Sequence, residues 1–148
     1  MGPEVRALTV AARPTAVVAR VTTWPEFPSL WKQLLDQVYA FLPGSGVRQT
    51  GHNVMLYLDD RPSVEVGVEV DGPFTPTGPV VASSLPAGEV ATAVHRGPYQ
   101  GLGQAHRAVL AWCEAHGRAP AGPRWEVYGD WREDPADLET EVYYLLRP

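Results

Sequence analysis

The sequence predicts an α+β fold: duplicated βαββ units related by an approximate twofold axis, with helices packed on a mostly antiparallel sheet. Three observations predict it. Strand-like, helix-like, strand-like and strand-like segments follow one another and then recur in the same order. The strand closing each run alternates: Val64, Val66, Val68 and Val70 share one side of the first, and Val142, Tyr144 and Leu146 one side of the second, each with glutamate on the other side. Finally, the shift that sets Glu65 on Glu141 also sets Arg20 on Arg96, Leu34 on Leu110 and EVGV on EVYY, as an internal duplication requires. The middle strands need a shorter shift, which sets Tyr57 on Tyr128.

Taken in order, TAVVARV at 15–21 follows the breaker Pro14 and is β-branched and apolar, so it reads as a strand. PSLWKQLLDQVYAFLP offers Ser29 as N-cap and repeats apolar groups at Leu30, Leu34, Val38 and Leu42 before Pro43 and Gly44 stop it, which is an amphipathic helix. NVMLYLDD and SVEVGVEV are strands joined by a turn at Arg61-Pro62. DGPFTPTGPVVASSLPAG is dense in proline and glycine and reads as a connector over about 71–89. Then EVATAVHR gives a strand, YQGLGQAHRAVLAWCEAHG a helix ended by Gly117, and RWEVYGDW and LETEVYYLL the last two strands. The half-repeats therefore span about 14–70 and 90–147 of a single domain, 1–148.

Composition narrows the function classes. A chain of 148 residues that is 45% hydrophobic can close one sizeable core. Its net charge of −5, with the basic residues scattered, repels phosphate backbones, so no direct nucleic-acid binding is expected. The single cysteine, Cys113, excludes an intrachain disulfide and fits a reduced, cytoplasmic setting; mid-helix beside Trp112, it reads as a small core residue. No apolar run approaches the roughly 20 residues of a membrane span, and no export signal opens the chain. His52, His95, His106 and His116 have no metal-site spacing, so neither metal nor cofactor is expected. HRGPYQGLGQAH imitates a nucleotide loop, but His106 stands where the third glycine belongs and the downstream acid is missing.

The residue that stands out is Glu141, a carboxylate in the middle of the last core strand. If its side of the strand faces solvent, it is an ordinary outward charge. If that side lines a groove between the halves, the carboxylate is partly desolvated and needs a cation, a hydrogen-bond network or a proton. Aromatic residues on the strands and helix starts, among them Tyr57, Tyr99, Tyr128, Tyr143 and Trp125, fit the second case, because aromatic faces beside a carboxylate hold cationic or planar ligands. Each also serves as ordinary core filling. Tyr128 and Tyr143 are the leading pocket candidates, each on a strand next to an acidic residue. Glu65, the repeat counterpart of Glu141, and His95, at a strand end, complete the candidate ligand-binding set.

HRGPY after a strand, the helix with AVLAWCEAHG, then GPRWEVYGDW and a terminal TEVYYLL resemble the GyrI-like family, small-molecule-binding domains also found as effector-binding modules of AraC-type and MerR-type regulators. The resemblance runs from about Pro14 to Leu146. It implies a ligand groove between paired βαββ units and places the family's ligand-contacting glutamate at Glu141, with stacking aromatics matched to Tyr128 and Tyr143. Leu145 stands where the family often carries proline. No DNA-reading segment accompanies the module here, so the chain reads as a stand-alone form. The leading function is binding of a hydrophobic, cationic or planar small molecule, for drug or toxin sensing, sequestration or resistance. The resemblance also implies two alternatives. One is a hydrolase opening cyclopropane-type rings of DNA-alkylating natural products, with Glu141 as general base and Tyr128 or Tyr143 as hydrogen-bond donor; the other is a protein that interacts with gyrase.

Overall fold

The computed structural model describes residues 3–148. Its elements in chain order are β1 (Arg6–Val10), β2 (Arg13–Val21), α1 (Phe27–Phe41), β3 (Gln49–Tyr57), β4 (Ser63–Val70), β5 (Val80–Leu85), β6 (Gly88–Arg96), α2 (Leu102–Ala115), β7 (Pro120–Tyr128) and β8 (Glu139–Leu146). They fall into two compact units. The N-terminal unit is Ala12–Leu85; the C-terminal unit is Pro86–Pro148 together with the segment up to Ala11.

Within the N-terminal unit the strand order is β3-β4-β2-β5, and every pairing is antiparallel. Helix α1 packs on β2 and β4 and buries Phe27, Leu34, Leu35 and Val38. It starts earlier than Ser29. Glu26 stands at the N-cap, and Thr23 braces the turn before it: its carbonyl accepts from Phe27 N (2.9 Å) and its hydroxyl from Glu26 N (3.2 Å). Pro28, which has no N–H to satisfy, then fits the first turn, leaving Ser29 inside the helix. Val64, Val66, Val68 and Val70 are all buried, and Tyr57, opposite Val64 in register, meets the Phe27 ring edge-on, so this is the α1 side of the sheet.

In the C-terminal unit the order is β7-β8-β6-β1, again all antiparallel. Helix α2 contributes Ala105, Val109 and Cys113 to a core that also holds Ala91, Ala93, Val142, Tyr144 and Leu146. Gly117, at φ +63, ends its last turn as expected of a left-handed cap.

The two units thus share a frame, with β2-α1-β3-β4 repeated as β6-α2-β7-β8. Register corrects the details of the match. Glu65 opposes Ala19 and Leu56, and Glu141 opposes Val94 and Val127, so these two glutamates correspond, as do Tyr57 and Tyr128, which face Val64 and Thr140. The first strands and helices match one residue earlier than the sequence comparison set them. Arg20, opposite Val64, corresponds to His95 rather than Arg96, and the fully buried Leu34 and Val38 correspond to Val109 and Cys113, whereas Leu110 is 43% exposed. Unequal loops cause the drift: residues 42–48 against 116–119 after the helices, and 58–62 against 129–138 between the last strands.

Two strands lie where none was expected. β5 occupies residues read as connector, and β1 precedes the expected start of the first repeat. Each adds a fourth strand by pairing with the first strand of a βαββ frame: β5 with β2, β1 with β6. Among the described residues no helix is long and apolar enough to cross a membrane.

Candidate functional site

The C-terminal sheet has one side covered by α2 and one side free of it. Because β8 alternates, Val142, Tyr144 and Leu146 enter the core under α2, and Glu141, Tyr143 and Leu145 project to the other side, half-buried. Register extends that second side across all four strands. Arg6, Thr92, Tyr143 and Trp125 form one row, and Val94, Glu141 and Val127 the next. Tyr143 and Trp125 are stacked, with ring centroids 5.5 Å apart and planes at 11°. The Tyr143 hydroxyl donates to Glu141 Oε1 at 3.0 Å.

A depression of about 300 Å³ opens on this surface, with Glu4, Arg6 and Leu8 on one flank, Thr92 and Val94 beneath, and Glu141 and Tyr143 on the other flank. Glu141 therefore stands between two valines with one phenol as its hydrogen-bond donor, and among the described residues no cation is paired with it. A carboxylate accepts several hydrogen bonds, so capacity is left for a ligand. Trp125, 1% exposed, has its indole N–H buried without an acceptor among the described residues. The carboxylate and the phenol ring beside it suit a cation with an apolar body, and the buried indole backs the phenol.

The other sequence-predicted residues lie elsewhere. Tyr128, opposite Thr140, is on the α2 side, where its hydroxyl donates to Glu126 Oε1 (2.5 Å) and its ring meets Tyr99 edge-on at 5.7 Å. Glu126, 5% exposed, also holds His106 Nε2 at 2.6 Å, and His106 Nδ1 lies 2.8 Å from the Tyr144 hydroxyl. Since the carboxylate only accepts, Nε2 carries a proton, and Nδ1 of a neutral ring accepts from Tyr144. Glu126, His106 and Tyr144 form a buried polar network that the sequence reading did not single out; the glutamate alternating with Tyr128 in RWEVY was the available signal. His95 is buried, with Nε2 2.8 Å from the Pro98 carbonyl oxygen. A Cβ on Gly101 would come within 3.0 Å of its ring, so His95 and this glycine shape the turn into α2.

Tyr57 and Glu65 belong to the N-terminal unit. Tyr57 is buried against Trp24 and Phe27, and Glu65 accepts from Ser83 Oγ at 2.6 Å. The structure thus brings Glu141, Tyr143 and Trp125 to one side of the sheet, with Trp125 buried outside the lining of the depression, and sets Tyr128, Tyr99 and His95 on the opposite side of that sheet. Arg6, Glu4, Leu8, Thr92 and Val94 were missed; the parity of Thr92 and Val94 on β6 could have placed them, but nothing local marks β1. Burial pushes the Cys113 thiol above its ordinary range, opposed by the nearby Arg118 charge, which suits a core residue rather than a nucleophile. Among the described residues no group of three or more His, Cys, Asp or Glu side chains is placed to hold a metal ion.

Comparison with known proteins is consistent with this geometry. The model of a family described as a GyrI-like small molecule binding domain matches residues 3–147. Among solved structures, the C-terminal domain of EcmrR superposes with a TM-score of 0.83 at 20% identity, covering 99% of both chains. SAV2435 bound to tetraphenylphosphonium gives 0.74 at 12% identity, covering 97% of this chain and 94% of that one. A hydrolase from Listeria innocua gives 0.65 at 10% identity, covering 99% and 93%. At these identities the likeness is one of fold. No curated protein matches the chain.

Proposed function

Because the chain belongs to the GyrI-like family of small-molecule-binding domains, we propose that it holds hydrophobic compounds carrying a positive charge in the depression beside Glu141, and that sensing or sequestering such compounds, as in drug or toxin resistance, is its use. The single observation that carries this reading is a half-buried carboxylate with no cation paired to it among the described residues, braced by Tyr143 at 3.0 Å beside the Tyr143–Trp125 stack. The tetraphenylphosphonium bound by the structurally similar SAV2435 is a ligand of that chemical kind.

Replacing Glu141 by Gln keeps the shape and removes the charge. The expected result is a loss of about 1.5–3 kcal/mol in the binding of tetraphenylphosphonium or a cationic dye, the worth of a charge-assisted contact. Titration calorimetry on the parent and Glu141→Gln proteins measures it; equal affinities with an intact fold would reject the site.

A second reading draws on the same hydrogen bond. A carboxylate with a phenol in contact supplies a base and a donor, the two groups that opening a strained, electrophilic ring by water needs. Tyr143, rather than Tyr128, is the tyrosine in contact with Glu141. Turnover of a cyclopropane-bearing alkylating compound, abolished in Glu141→Gln while binding persists, would favour this reading; product appearing at the uncatalysed rate would dismiss it.

A further inference from the structure

We infer that the depression selects zwitterionic ligands, with the cationic end against Glu141 and Tyr143 and an anionic end, such as a carboxylate or sulfonate, against Arg6. The inference rests on Glu141 being the cation-binding group and adds a second recognition element from β1.

Arg6 opposes Thr92 and Thr92 opposes Tyr143, so all three side chains emerge on the side that carries Glu141. From Arg6 to Glu141 the path crosses two strand spacings and runs two residues along β8, which puts their Cα atoms roughly 12 Å apart. Both side chains line the same depression. Yet they form no ion pair with each other, and among the described residues neither pairs with any other charge. Two opposite charges that share a hollow but do not neutralise each other favour an occupant that is positive at one end and negative at the other.

A ligand with only a positive charge gains from Glu141 and is repelled by Arg6. A zwitterion of matching length gains at both ends, and the planar guanidinium can grip a carboxylate through paired hydrogen bonds. Leu8 and Val94 supply apolar surface for the body of the ligand. Glu4 lines the hollow as well, so the anionic end must seat on the Arg6 guanidinium itself rather than merely near it. Arg6 is exposed, so its contribution is the modest one of a screened pair, about threefold to fivefold in affinity.

The test compares 4-(trimethylammoniomethyl)benzoate with its methyl ester, identical cations that differ in the far charge, by titration calorimetry against the full chain and its Arg6→Gln, Arg6→Lys and Glu141→Gln variants. The expected result is about threefold to fivefold tighter binding of the benzoate by the parent protein, loss of that preference in Arg6→Gln, partial return in Arg6→Lys, and weaker binding of both compounds in Glu141→Gln. Equal affinity of the parent for the two compounds, or a preference that survives Arg6→Gln, overturns the inference. If Glu141→Gln weakens both compounds while Arg6→Gln changes neither, the zwitterion assignment falls and the cation site stands. If Glu141→Gln leaves both unchanged, or neither compound binds the parent, the cation site falls and takes this assignment with it. Matching thermal melts establish that the exposed Arg6 replacements leave the fold intact.

Discussion

The two units use one frame for different ends. On the helix side of the N-terminal sheet, Tyr57 donates to Met55 Sδ at 3.7 Å, and the neighbouring frame positions are Trp31 and Val68. The corresponding positions of the C-terminal unit are Tyr128, Glu126, His106 and Tyr144, joined by hydrogen bonds. On the helix-free side the contrast reverses. Glu65 accepts from Ser83, as Glu141 accepts from Tyr143, whereas Glu69 is held by Arg13 (2.8 Å) and by the backbone N–H of His52 (3.3 Å). Gly67, where the C-terminal unit has Tyr143, has no space for a side chain: a Cβ there would lie 1.8 Å from the Ala16 carbonyl oxygen. The glutamate is retained in both units. Glu65 and Glu141 each accept one side-chain hydrogen bond, but of the two only Glu141 has a tyrosine ring beside it and borders the depression, so in the proposed function the neighbours, not the acid, set it apart.

Exchanging the units' residues is the sharpest way to break that contrast. Gly67→Tyr, which imports Tyr143 into the closed unit, is expected to destabilise by about 4 kcal/mol or more, because main chain rather than a flexible side chain blocks it. Urea unfolding measures this, and a near-neutral variant would show that the N-terminal sheet opens more easily than its geometry implies. Next in size, Glu126→Met, which imports Met55, leaves His106 and Tyr128 without their buried acceptor and should destabilise by about 2–3 kcal/mol. Adding His106→Leu should recover at least about 1 kcal/mol, since an apolar pair costs less than half a polar network. A strictly additive double variant would mean that the network is not a unit.

Binding sharpens the same contrast more gently. Glu65→Gln should alter the affinity for a cationic dye by less than about 0.5 kcal/mol, against the larger loss expected at Glu141, because the residues lining the depression all belong to the other unit. Equal losses in the two variants would erase the distinction between the units. The smallest effect concerns pH. Arg118, by hydrogen bond and charge, holds Glu89 of the C-terminal unit below its ordinary 4.5, and the backbone N–H and hydroxyl of Ser63 hold Asp59 of the N-terminal unit below 3.8. A carboxyl whose pKa is lower in the folded state binds fewer protons than in the unfolded chain, so its contribution is present above the unfolded value and is lost as pH falls through the folded one. Glu89→Gln and Asp59→Asn should each lose less stability than the parent as pH is lowered from 5 towards 3. A parallel loss in all three proteins would remove both groups from the acid response.

The parity of β8 was legible in the sequence, because a period of two is a local pattern and a half-covered strand must obey it. The match of Tyr57 with Tyr128 was legible from the shorter shift that aligns the middle strands. What could not be read was register, which depends on partners distant in the chain: Tyr128 and Tyr143 both stand near acidic residues, but pairing with Thr140 puts Tyr128 on the far side from Glu141. β5 was hidden by prolines and glycines that an edge strand tolerates at its ends, and β1 is too short to display alternation. With β1 went Arg6 and Leu8, a whole flank of the depression.

The position of β1 has a consequence for how the chain assembles. Arg6 is made long before its partners around Thr92, because a whole βαββ unit separates them in the chain. β1 must therefore wait for β6 and β8 before the hollow that holds Arg6 and Glu141 can be completed. Rejoining the termini and cutting between Ala11 and Ala12 would make each unit a continuous stretch of chain and end that wait.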